Sequence, residues 1–221
     1  MPFKNFRSVL HGYIAQPENY ANVLTYDSEF TLIVDKYPKS LVHLLVLPRD
    51  PVKTTQSPLL VFNHKRDPDK AFQKLLLQFV DKIKPVVFQQ LLEKVPHLDL
   101  ESLDFDKYFK VGFHAVPSLS NLHVHIISRD NVSPKMKTRS HYNSFNSPFL
   151  LQLKDLIQND DLNLKDPDSD EFLKIAQHMA SSMTHGLKCW RCGDDFNEMK
   201  EFKSHLLSES NDFYSQDCRK D

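Results

Sequence analysis

Seven consecutive residues, Asn121-Leu122-His123-Val124-His125-Ile126-Ile127, constrain the fold of this chain more than any others. Side chains along an extended strand point alternately to two faces. Leu122, Val124 and Ile126 then share one face, and Asn121, His123 and His125 the other. The first face requires an apolar core. The second sets two imidazoles roughly 6.6–6.8 Å apart along the strand, with an amide one step before them. Imidazoles are costly to bury without partners, so this face points to a polar pocket rather than to packing. The fold must supply a sheet with a core on one side and a site on the other.

The surrounding pattern supplies such a sheet. Phe6, Val9, Leu10 and Tyr13 recur at helical spacing before Pro17, which predicts a docked N-terminal helix. Residues 23–26 and 30–35 alternate about Asp27-Ser28-Glu29 as a hairpin, and residues 41–47 form a third strand interrupted only by His43. Residues 50–68 show no period and read as loop. A helix is expected from Asp67-Pro68, carrying Phe72, Leu75, Leu76, Phe79, Val80 and Ile83 on one face, with a break or restart at Pro85. Residues 97–107 are acidic and irregular, residues 111–115 are the next strand, and Pro117-Ser118-Leu119-Ser120 turns into the histidine strand. This order gives an α+β domain with an antiparallel sheet and flanking helices, spanning residues 1–160. The 221 residues leave room for that core plus a small appendage.

The appendage is expected at 168–221. Asp168 or Ser169 can cap a helix bearing Phe172, Ile175, Ala176, Met179 and Met183, ended by Gly186. All three cysteines, Cys189, Cys192 and Cys218, lie in the last 33 residues, two of them at C-x-x-C spacing. An odd, clustered set argues for an intracellular metal site and against a secreted disulfide scaffold. The run C-x2-C-x12-H-x3-E, from Cys189 and Cys192 to His205 and Glu209, has zinc-finger spacing with a carboxylate in last place. His205 and Glu209 are i and i+4 and face one side of a helix. Two thiolates, an imidazole and a carboxylate close a tetrahedron, so this zinc is structural, one per chain. Cys218 and His185 compete with Glu209 for the fourth position. Phe196, Phe202 and Leu206 provide a small finger core.

The net charge of −1 removes any global electrostatic footprint for nucleic acid, so a basic surface must be local. Residues 129–154 carry Arg129, Lys135, Lys137, Arg139 and Lys154 against Asp130, with His141, Tyr142 and Phe145 among them. This segment is either a solvated loop or a surface for a phosphate backbone with a stacked base. No apolar run approaches the ~18 residues of a membrane span, and Met1-Pro2-Phe3-Lys4 does not open a signal peptide. A soluble intracellular protein without a membrane partner is expected.

The His-Val-His strand resembles the signature of the histidine-triad nucleotide hydrolases and transferases. Asp35-Lys36-Tyr37-Pro38-Lys39 and the run from His43 to Pro48 are similar to the first half of that family's nucleotide pocket. Gly112-Phe113-His114-Ala115, Pro117-Ser118, the paired strand histidines, the run His141-Tyr142-Asn143-Ser144-Phe145-Asn146 and the C-terminal finger together resemble the aprataxin branch, the DNA deadenylases. The resemblance implies a hydrolase that removes AMP from 5′-adenylated DNA through a covalent histidine-AMP, with zinc-finger-assisted DNA binding and no catalytic metal. It makes His123 the nucleophile and gives stabilisation of the phosphate oxygens to Ser118, His125 and His114, with His114 also a candidate general acid. Asp35 and Lys39 serve the ribose side of the pocket, and His43 sits either by the phosphate or in the core. Lys137, Ser144 and Arg139 hold DNA, and Phe6 stacks on the terminal base pair. Adenylated nicks or ends are the substrate, AMP a product, and the nucleus the expected compartment, with the cytoplasm second.

This sequence departs from the pattern in three ways. Asn121 stands at the first triad position, so any orienting role there falls to an amide or is absent. The finger ends in Glu209 where some relatives have His. No N-terminal phosphopeptide-binding domain is expected, so partners recruited by one are not implied. Two other functions remain open on the residues alone: a general histidine-triad nucleotide or dinucleotide hydrolase, and a non-catalytic zinc-finger DNA-binding protein.

Overall fold

Alternating apolar residues build six strands: β1 (Val23–Tyr26), β2 (Phe30–Val34), β3 (His43–Pro48), β4 (Phe109–His114), β5 (Val124–Ser128) and β6 (Leu150–Gln152). They form one sheet in the order β1-β2-β3-β5-β4-β6, antiparallel at every pairing. The computed structural model describes residues 8–63, 70–99, 104–158 and 169–216, the side chains of 157–158 and 171–173 excepted. Helices α1 (His11–Ala15), α2 (Pro58–Val61), α3 (Ala71–Leu92), α4 (Phe105–Tyr108), α5 (Arg139–Asn146) and α6 (Leu153–Gln158) flank the sheet. Beyond them lie α7 (Asp170–Ser181), the two-stranded ribbon β7 (Leu187–Lys188) and β8 (Asp195–Phe196), and α8 (Met199–Ser215).

The two faces of the sheet do different work. Leu44, Val46, Phe113, Val124 and Ile126 face α3 and join Phe72, Leu76, Phe79, Val80 and Ile83 in the main core. Removing this much apolar surface from water is the principal drive for folding. On the opposite face, Ile33, Leu45 and Leu47 pack on Ile14 of α1 and on Leu10 just before it. Ile127 packs on Phe145 of α5 and Leu150 of β6. Between these two small clusters the face belongs to histidines. The register sets Leu45 and Gly112 on either side of His125. A Cβ on Gly112 would lie 2.4 Å from Leu151 O, so the absent side chain is what lets β4 pair with β6 here.

Several expectations need correction. Helix α3 runs unbroken from Ala71 to Leu92 through Pro85. Pro85 lies on the exposed face, where the Asp81 carbonyl that loses its helical donor meets water. The stretch read as loop contains α2 and a 3₁₀ turn, Lys53–Thr55, whose Thr54 O accepts from Leu122 N at 2.7 Å. That turn holds the approach to the histidine strand. The paired strand itself begins only at Val124, with Asn121 to His123 leading in. The basic segment is no solvated loop throughout, because Thr138 caps α5 through His141 N and buries Tyr142, Asn143, Ser144 and Phe145. Phe6, the Asp67-Pro68 helix start, Phe172 and Cys218 lie outside the described residues or side chains.

The C-terminal segment is docked on the sheet domain. Met179 of α7 and Phe213 and Tyr214 of α8 belong to the main core. Asp130, 2% exposed, accepts from Leu41 N (2.9 Å) and Val132 N (3.1 Å) at Oδ1. Its Oδ2 accepts from Ser128 Oγ (2.5 Å) and from Tyr214 OH (2.9 Å). A buried carboxylate needs such a full set of donors, and this one joins the β2–β3 loop, the end of β5 and the last helix.

Candidate functional site

A cavity of ≈ 760 Å³ opens on the histidine face of the sheet. It gathers nine of the residues expected there: Asp35, Lys39, His43, His114, Ser118, His123, His125, Lys137 and Ser144. Leu10, Tyr13, Ile33, Leu45 and Leu119 form its apolar wall, and Lys135 and His141 also line it. Histidines 43, 123 and 125 are each no more than 5% exposed.

The hydrogen bonds assign a tautomer to each ring in turn. His123 Nδ1 lies 2.8 Å from Asn121 O, and a carbonyl can only accept, so Nδ1 carries the proton. Nε2 of His123 therefore keeps its lone pair. The side chain of Asn121 turns away to Thr54 Oγ1 at 3.3 Å. The orienting role at the first triad position thus belongs to the backbone, which any residue there provides. Next, Lys39 N–H donates to His43 Nδ1 at 3.2 Å. His43 must hold its proton on Nε2, which lies 2.9 Å from His125 Nδ1 and donates to it. His125 then carries its proton on Nε2, a buried donor with no partner among the described residues. Asp35 Oδ2 stands 3.5 Å from His43 Nε2 while its Oδ1 accepts from Tyr37 N at 2.7 Å. Although Asp35, His43 and His125 cluster at metal-ligand distances, the Lys39 donor would leave a metal-bound His43 as imidazolate, so the geometry favours a hydrogen-bond relay through these rings over a metal site.

Burial keeps all four rings neutral at neutral pH. Desolvation pushes His43 down to about 4 against the opposing pull of Asp35. His114 falls to about 3 by desolvation and its imidazole neighbours, with a backbone hydrogen bond to Ser144 working the other way. His123 and His125 are lowered by the same burial. The acid form expected of His114 is therefore not its resting form. A set of neutral rings, one with a free lone pair and one with an unspent N–H, suits an anionic ligand attacked at its centre.

Phe145 was not singled out for this role, yet its ring backs three of the four imidazoles. Its centroid lies 5.2 Å from His43, 4.9 Å from His114 and 5.1 Å from His125. The motif around it was legible in the sequence; that it forms a helix aiming this ring at the imidazoles was not. Arg139 stands outside the cavity, with Nη2 3.4 Å from Asn197 O.

The finger brings Cys189, Cys192 and His205 together, all ligand atoms lying within 4.8 Å of one another. Cys192 Sγ and His205 Nε2 are 3.3 Å apart, close to the ~3.5 Å edge of a tetrahedron built from zinc–sulfur and zinc–nitrogen bonds. The donor set therefore fits zinc, which supplies cross-linking there and no chemistry. Glu209 lies beside this set. Its Oε1 is 3.8 Å from His205 Nε2, and Arg191 Nη1 holds its Oε2 at 2.7 Å.

Comparison with known proteins agrees with both regions. The family model described as scavenger mRNA decapping enzyme C-term binding matches residues 8–141, and that of the C2HE / C2H2 / C2HC zinc-binding finger matches residues 146–212. The chain is 35% identical to an aprataxin-like protein of Schizosaccharomyces pombe over 95% of its own length and 84% of the relative's. It is 30% identical to an aprataxin-like protein of Saccharomyces cerevisiae over 95% of its length and 98% of that chain. The crystal structure of the aprataxin ortholog Hnt3 in complex with DNA superposes with a TM-score of 0.80 at 34% identity, covering 96% of this chain and 98% of that one.

Proposed function

The chain belongs to the aprataxin family of histidine-triad nucleotide hydrolases, and from that premise we propose that it releases AMP from 5′-adenylated DNA ends. One observation carries the reading. The His123 Nδ1–H is fixed on Asn121 O, so its Nε2 lone pair lines the cavity as a ready nucleophile.

Nε2 attacks the adenylate phosphorus as the bond to the bridging oxygen breaks, and that oxygen leaves with the DNA 5′-phosphate. A phosphate leaving group is weakly basic and needs little protonation. Negative charge grows instead on the non-bridging oxygens, where the unspent His125 Nε2–H and the Ser118 hydroxyl donate. Water then attacks the same phosphorus, the P–N bond breaks, and AMP leaves with His123 restored. His114, with an unpartnered Nε2 and a low basicity that a bound phosphate raises, takes up the water's proton. Asp35 and Lys39 take the ribose, and the apolar wall around Leu10, Tyr13 and Ile33 takes the base. Lys135, Lys137 and Ser144 at the cavity face the DNA phosphates, Arg139 extends that surface, and the finger holds the flanking strand with its structural zinc on Cys189, Cys192, His205 and Glu209. The DNA complex of Hnt3 supports this part by likeness. Such work is expected of a nuclear protein, with the cytoplasm the second compartment.

The test is AMP release from a nicked, 5′-adenylated duplex. Wild type turns over, and His123→Ala falls by a thousandfold or more, on the order seen when a nucleophile is removed, while still binding the nick. A His123→Ala rate within tenfold of wild type overturns the assignment.

A further inference from the structure

Tyr142 belongs to neither constellation, yet it touches both. Its side chain is 1% exposed and sits in the finger's small core, edge-on to Phe202 with ring centroids 4.6 Å apart. Its hydroxyl donates to Lys188 O at 2.9 Å and accepts from Trp190 N at 3.0 Å. Those two backbone groups bracket Cys189, the buried member of the thiolate pair. The single hydroxyl proton is thus spent on the knuckle. Tyr142 also lies in α5, next to His141 on the cavity wall and three residues before Phe145. Phe145 backs His43, His114 and His125, and the Ser144 backbone bonds His114.

We infer that the Tyr142 hydroxyl is a positioning group through which metal occupancy of the knuckle and nucleotide occupancy of the cavity strengthen one another. The inference rests on the cavity's being a nucleotide pocket. While Cys189 is held in a tetrahedron, Lys188 O and Trp190 N stay fixed, and they clamp the hydroxyl. The clamp sets where eight-residue α5 lies against the sheet, and with it the ring that supports the imidazoles. Free the knuckle, and the two hydrogen bonds must be remade while α5 gains play beneath the relay. Such coupling is reciprocal by thermodynamic necessity: what zinc does for nucleotide affinity, nucleotide does for zinc affinity. Tyr142→Phe keeps the ring against Phe202 and removes only the oxygen, which separates linkage from packing.

The experiment measures zinc affinity of the full chain by competition with a chromophoric chelator, with and without saturating AMP. In wild type AMP tightens zinc by about fivefold, the lower range of measured couplings, and in Tyr142→Phe the factor falls to about one. Equal factors in the two proteins, or no effect of AMP on wild type, overturn the linkage and leave the nucleotide pocket standing. If AMP does not bind the zinc-loaded wild type at all, both readings fall. Should the variant not fold, hydrogen exchange on wild type decides: AMP must slow exchange of the Trp190 amide, which donates to Tyr142, and an unchanged rate refutes the link.

Discussion

In the histidine cavity each ring of the relay is turned by a group that the sheet domain already fixes. Asn121 O sets His123, Lys39 N sets His43, and His43 sets His125. In the finger the thiolates and the imidazole have little but one another, and only Glu209 is held by a side chain, that of Arg191. Cys192 is exposed, the ribbon is two residues a side, and much of the core beneath is borrowed, since Met136 and Tyr142 come from the sheet domain. The contrast shows two ways of holding polar groups in place. A framework can orient them one by one through hydrogen bonds, or an ion can gather them and order a segment too small to order itself. The first gives neutral, reactive rings; the second gives a closed and inert cross-link.

Losing a thiolate should divide the two regions most sharply. Cys189→Ala is expected to reduce zinc from about one per chain to near zero by metal analysis, because it removes the buried one of the two thiolates that anchor the ion. Glu209→Ala should retain most of it, since Arg191 already shares that carboxylate. In both variants the cavity should still bind AMP, with Cys189→Ala weaker by only about fivefold, because backbone groups of the sheet domain orient the imidazoles even without the metal. If Cys189→Ala destroys AMP binding altogether, the two regions are one unit and the contrast fails.

Acid should act on the opposite region. His43 is neutral in the folded protein, pushed to about 4 by burial, and titrates near 6.5 when unfolded. The unfolded chain then binds the proton first, so this neutrality stabilises the fold above pH 6.5 and is progressively lost as pH falls towards 4. Between pH 7 and pH 5 the loss is about 2 kcal/mol for this residue. Urea unfolding of zinc-loaded wild type and His43→Asn at the two pH values reads it out: the wild type should lose that much more than the variant. Equal losses would mean that His43 is not desolvated as its burial implies.

The smallest effect concerns Asn121. Only its backbone carbonyl serves His123, so Asn121→Ala should leave kcat within about twofold and cost about 1 kcal/mol of stability for the Thr54 hydrogen bond. A collapse of kcat in steady-state assays would return the orienting role to the side chain.

How far the residues foretold all this follows from where each signal resides. The alternation of Leu122, Val124 and Ile126 against His123 and His125 is local, and it survives even though the ladder begins only at Val124. Cysteine spacing is local as well, and it brings Cys189, Cys192 and His205 together as expected. Pro85 misled because a helix breaker is judged by its lost hydrogen bond, and on a solvated face that loss is small. The relay was illegible because it begins at a backbone N–H, that of Lys39, which no side-chain pattern reports. Tyr142 and Asp130 were illegible for another reason: their partners, Trp190 and Tyr214, lie 48 and 84 positions away in the chain.

The central claim is that His123 takes the adenylate before water does, and the stereochemical course at phosphorus tests it most directly. With adenylated DNA made chiral at the adenylate phosphorus by sulfur and isotopic oxygen substitution, two successive in-line displacements must return AMP with retained configuration. Inversion would mean that water attacks in a single step, and His123 would then be no nucleophile.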